Sequence, residues 1–136
     1  NLASGIAPVR KFLQAGLNVV LGSDIAGGHH LSMFRVMQYA VQMSKLQYVS
    51  SNGQYPFLTL SEVFYMATKA GGAFFGQVGS FEPGYAFDAL VIDDLCLSPH
   101  SMGATSPIHR LERFIYLGDD RHIQHRFCQG NEINQP

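Results

Sequence analysis

An unbroken apolar stretch, Val19-Val20-Leu21, runs into Gly22-Ser23-Asp24 and then into a loop that carries Gly27-Gly28. Aliphatic residues without polar alternation mark a strand covered on both faces, as in a parallel sheet. Residues 7–16 just before it read as a short helix. Pro8 suits the first helical position, Val9, Phe12 and Leu13 share a face, and Gly16 is a natural stop. Helix followed by strand over 17–22 predicts an αβ unit and an α/β fold class.

Composition narrows this further. The 136 residues carry 9 Lys and Arg against 10 Asp and Glu, a net charge of -1 with no basic cluster, which excludes nucleic acid as a partner. The length suits a single modest domain. Only 14% of residues are charged, against roughly 25% in an ordinary soluble domain. An unusual share of the surface is therefore expected to be buried, as in a piece of something larger, and a first residue Asn1 agrees with a chain that begins inside a longer product or was trimmed. No stretch approaches the roughly 18 apolar residues of a membrane span, and the N-terminus lacks a signal-peptide pattern, so no membrane partner is expected. Cys96 and Cys128 have no CxxC or Cys-His spacing around them, which argues against disulfides or a zinc knuckle and for a reducing, cytoplasmic home.

Further along, Ser32 is placed to cap a helix that uses Met33, Val36, Met37, Ala40 and Val41 and runs to about Tyr48. Ser50-Ser51-Asn52-Gly53 reads as a loop. Thr59-Leu60-Ser61-Glu62 is a capping box with Leu58 and Val63 as its hydrophobic staple, opening a helix that is loosened by Gly71-Gly72 and ends near Gly76. Beyond Gly79 the pattern changes. Glu82-Pro83-Gly84 is a turn, 87–93 a strand, 98–107 a segment rich in turn formers, and 108–117 a short helix, though its Phe-Ile-Tyr-Leu run also suits a strand. A strand over 123–128, with Gly130-Asn131 as a turn, predicts a closing hairpin.

Asp24 is the leading candidate for chemistry. It stands at the C-terminal end of the predicted strand, the end at which parallel α/β folds bind ligands, and a carboxylate there can ligate a metal or act as a base. A capping or turn role fits the position equally well. The other candidates read as structural. Neighbouring His29 and His30 do not normally aim both rings at one ion. His122 and His125 fall on opposite faces of a strand. Asp119-Asp120 reads as a turn held by Gly118 and Arg121, and Phe74-Phe75 as core or interface.

Asn1-Leu2, Ser4-Gly5-Ile6-Ala7-Pro8-Val9, Leu21-Gly22-Ser23-Asp24-Ile25-Ala26-Gly27-Gly28 and Ser32-Met33 together resemble the last quarter of an amidohydrolase-superfamily barrel. Three later blocks extend the likeness over nearly the whole chain: Leu58 to Thr68, Gly79 to Ile92, and Phe114 to Arg121. The Asp-Ile-Ala-Gly-Gly loop and Tyr-Leu-Gly-Asp-Asp-Arg are similar to the guanine deaminase branch of the superfamily. The resemblance implies the C-terminal part of a TIM (β/α)8 barrel in residues 1–76, and strands of a small composite β-domain in 77–136. It also implies a homodimer, zinc or sometimes iron as cofactor, and hydrolysis of guanine to xanthine and ammonia. Asp24 is then at once the metal ligand, the catalytic carboxylate and a substrate contact, taking the proton from a water that the ion acidifies from a pKa of about 15.7 to about 7.

The remaining ligands of that family fall upstream of Asn1, and none of the 6 histidines here matches them. A catalytic zinc needs about three protein ligands and a barrel eight strands, so the isolated chain is expected to be inactive. Two alternatives stand beside this reading. One is a neighbouring amidohydrolase acting on another aminopurine, a pyrimidine or a chlorinated triazine. The other is a non-catalytic module that associates through its apolar faces.

Overall fold

The computed structural model describes residues 3–97 and 106–133. The chain divides into two units, Asn1–Gly76 and Gln77–Pro136.

The first unit is helical: α1 (Val9–Gln14), α2 (Met33–Ser50), α3 (Leu60–Ala67) and the single turn α4 (Lys69–Gly72). Its core joins Met37 and Val41 of α2 to Leu58, to Val63 and Met66 of α3, and to Ala70 of α4, all buried. The capping box forms as the sequence predicts. Glu62 N–H donates to Thr59 Oγ1 at 3.3 Å, and Thr59 N–H donates to Glu62 Oε2 at 2.7 Å. Leu58 and Val63, the staple residues, are 1% and 0% exposed, so the entry to α3 is fixed by both polar and apolar contacts. Arg10 of α1 reaches the same place. Its guanidinium donates to both Glu62 oxygens at 2.7 and 3.0 Å and to the carbonyls of Pro56 and Phe57.

Several boundaries differ from expectation, each for a local reason. Pro8 is the N-cap of α1 rather than its first helical residue, and Ser32 occupies the cap position of α2 without a side-chain cap bond. The helix expected to reach Gly76 breaks at Thr68, whose φ of -123° and ψ of -94° are not helical. The larger departure is at 17–22. No strand forms there among the described residues; Leu21 N–H donates to Met66 O at 3.2 Å and Asn18 Nδ2 to Ala70 O at 3.4 Å. A strand buried on both faces needs hydrogen-bonded neighbours on its edges and layers above and below. The described residues supply none of these, and Leu17 and Val20 stay 56% and 49% exposed.

The second unit holds helix and sheet together. β1 (Ala89–Ile92) pairs antiparallel with β2 (Ile123–Cys128), and β2 with β3 (Asn131–Glu132). Ala89 faces Phe127 and Val91 faces His125, with an irregularity between Val91 and Ile92. The hairpin forms, but its tip is Gln129-Gly130, both at positive φ of 49° and 80°, one residue earlier than expected. Such a pair of left-handed residues suits the twist of two antiparallel strands. Between β1 and β2 lies α5 (Pro107–Leu117), so residues 108–117 are helix throughout rather than strand; Ser106 caps it and Phe114 and Ile115 are its buried face. Most of the predicted turn-rich segment, 98–105, lies outside the described residues. Asp94, buried after β1, accepts from Arg110 Nε and Nη2 at 2.9 and 2.6 Å, which ties α5 to the strand end. Thus the described sheet is three-stranded and antiparallel, not the parallel one expected. No described helix is long and apolar enough to cross a membrane.

Candidate functional site

Asp24 ends the extended segment 17–24 and opens the turn at 25–27. Its φ of 47° lies in the left-handed region, which Asp tolerates better than most residues because its short polar side chain interacts locally. The turn closes on Asp24 itself, for Gly28 N–H donates to the Asp24 carbonyl oxygen. The side chain is exposed and forms no salt bridge among the described residues. A carboxylate held in this way is open to a ligand or a water on its outer side.

The other candidates are drawn into structural roles. His29 and His30 are exposed and pack on the ring of Tyr39, edge-on at 6.3 Å and stacked at 5.9 Å between centroids. They are not gathered with Asp24 into a donor set. Asp119 is a turn residue, as its sequence context predicts: Arg121 donates to it from its backbone N–H at 3.0 Å and from its guanidinium at 2.6 Å. That guanidinium holds the Asp119 carboxyl well below the usual carboxylate range. His122 belongs to the same turn, its Nδ1 accepting from Asp119 N–H at 3.2 Å, while His125 pairs with Glu132 at 2.6 Å across the hairpin. Phe74 and Phe75 are 87% and 79% exposed, which removes the core reading for them.

The sequence gave no signal for two charged pairs that the fold brings together. Arg10 and Glu62 are far apart in the chain, as Asp94 and Arg110 are, and only the folded backbone shows them as partners. Arg10 donates hydrogen bonds that lower the Glu62 pKa to about 2 from 4.5. Arg110 likewise lowers that of Asp94. Both carboxylates are thereby committed to structure.

Among the described residues, no group of three or more His, Cys, Asp or Glu is arranged to hold a metal ion. Asp24 alone does not fit a catalytic zinc, which takes about three protein ligands. The described residues therefore form at most one corner of such a site.

The sequence profile of the amidohydrolase family matches residues 1–133. Guanine deaminase of Dictyostelium discoideum is 36% identical over 97% of this chain and 30% of its own length. A 5'-deoxyadenosine deaminase of Methanopyrus kandleri is 32% identical over 97% of this chain and 29% of its own. Among solved structures, guanine deaminase from C. acetobutylicum with guanine bound in its active site superposes with a TM-score of 0.91 at 58% identity, covering 98% of this chain and 31% of that one. The chain thus spans about a third of the length of the proteins it matches.

Proposed function

The chain belongs to the amidohydrolase family, and from that premise we propose that it is the C-terminal part of a guanine deaminase. The observation that carries this reading is the 58% identity and 0.91 TM-score to the guanine-bound enzyme over 98% of the chain. Under it, residues 1–76 complete a TIM barrel and 77–136 contribute strands to a small composite β-domain. The exposed Leu17 and Val20 fit this account, because barrel strands on either side would bury them.

Hydrolytic deamination replaces an amino group by the oxygen of water, so water must lose a proton and the leaving nitrogen must gain one. Asp24 is the group in this chain placed to do so: an exposed carboxylate at a strand end, with no salt bridge among the described residues. General acid–base transfer of this kind contributes roughly 100- to 10,000-fold in rate. Residues outside these 136 would supply the other metal ligands, with zinc, or iron, as the ion. A homodimer and a cytoplasmic location complete the proposal.

The match to a 5'-deoxyadenosine deaminase favours a second reading, in which the same carboxylate serves an adenine-type base. Ammonia release from guanine, adenine, adenosine and 5'-deoxyadenosine by the complete protein separates the two. Guanine is expected to have the highest kcat/KM. A higher value for any of the others would overturn the guanine assignment.

A further inference from the structure

Two consecutive glycines face Asp24, and each excludes a side chain for a different reason. A Cβ added to Gly28 would stand 1.8 Å from the Ser23 carbonyl oxygen and 3.3 Å from that of Asp24, so Gly28 is what lets the backbone close its turn. A Cβ added to Gly27 would meet the reactive group instead, 2.7 Å from Asp24 Oδ2 and 3.3 Å from Cγ. Gly22, on the other side of Asp24, has nothing within 4 Å of its Cβ position, so the close approach belongs to the loop and not to glycines here in general.

We propose that Gly27 is a positioning residue for Asp24: its bare Cα leaves the space in which the carboxylate rests, and so sets the direction in which that group points. This rests on the role given to Asp24 under the guanine deaminase reading. A methyl group at 27 meets the movable end of a side chain, so the carboxylate swings aside while the fold survives. At 28 the obstacle is backbone, and the turn itself must open. A misplacement of about 1 Å in a reacting group can cost about 100-fold in rate.

The test uses the complete amidohydrolase that carries these residues, comparing Gly27→Ala, Gly28→Ala and Asp24→Ala. Gly27→Ala is expected to lower kcat for ammonia release from guanine by about 100-fold, with a change in KM at least about tenfold smaller and an unaltered melting temperature. Gly28→Ala should lower the melting temperature. A Gly27→Ala enzyme with kcat within about threefold of the parent, or one that loses activity only because it melts early or fails to fold, overturns the positioning role. Asp24→Ala separates the two levels. If it keeps turnover, the Asp24 reading fails; if it is inactive while Gly27→Ala is fully active, only the positioning role fails.

Discussion

Two carboxylates in the first unit show how surroundings assign opposite duties to similar groups. Glu62 accepts from Arg10, from the Thr59 backbone and from the Thr59 hydroxyl, and these bonds favour its ionised form. Asp24 has no salt bridge among the described residues and remains exposed. The first is held for structure and the second is open to chemistry. The consequence for Glu62 is a pH dependence with a definite sign. Its folded pKa, about 2, lies below the ordinary 4.5, so its contribution to stability is fully present above pH 4.5 and is lost as pH falls from there towards 2. Acid titration followed by circular dichroism should show this loss, and Glu62→Gln should flatten the curve across that window. The sequence makes the Thr59–Glu62 half of this arrangement visible, because a capping box is local. Arg10 is invisible to it, since nothing in a linear pattern says that a residue on α1 will end beside the start of α3.

Elements whose order is set by neighbours in sequence are the ones that a linear reading recovers. The caps of α3, the helix over Pro107–Leu117 and the strand Ile123–Cys128 all have local causes, in turn residues, Pro and periodic apolar positions. The segment 17–22 does not. Its apolar run correctly signals a demand for burial, but the strand it would become needs partners that the described residues do not supply. Two substitutions measure how much the local elements hold. Thr59→Ala removes the cap acceptor of α3 and is expected to cost about 1 kcal/mol in urea unfolding. Phe114→Ala empties a position that is 2% exposed in the second unit and should cost about 3–5 kcal/mol. A loss below about 1 kcal/mol for Phe114→Ala would mean that α5 is not anchored through that ring.

At the scale of the whole molecule, low charge and exposed apolar side chains describe the same thing. Only 14% of residues are charged, and Leu17, Val20, Phe74 and Phe75 lie open to solvent. The chain spans 30–31% of the guanine deaminases it matches. Family membership was legible from short blocks such as the loop after Asp24, because those blocks are contiguous. A metal site was not, since its ligands converge from distant parts of a fold and the described residues hold no such group. The isolated 136-residue chain is accordingly expected to bind less than one zinc per molecule, whereas the complete protein should hold a full equivalent that Asp24→Ala weakens; elemental analysis after dialysis reads both. The central claim is the duty given to Asp24, and turnover reads it most directly. Ammonia release from guanine should fall by at least about 100-fold in the complete protein carrying Asp24→Ala, with its circular dichroism spectrum unchanged. Near-normal turnover in that variant would contradict the account.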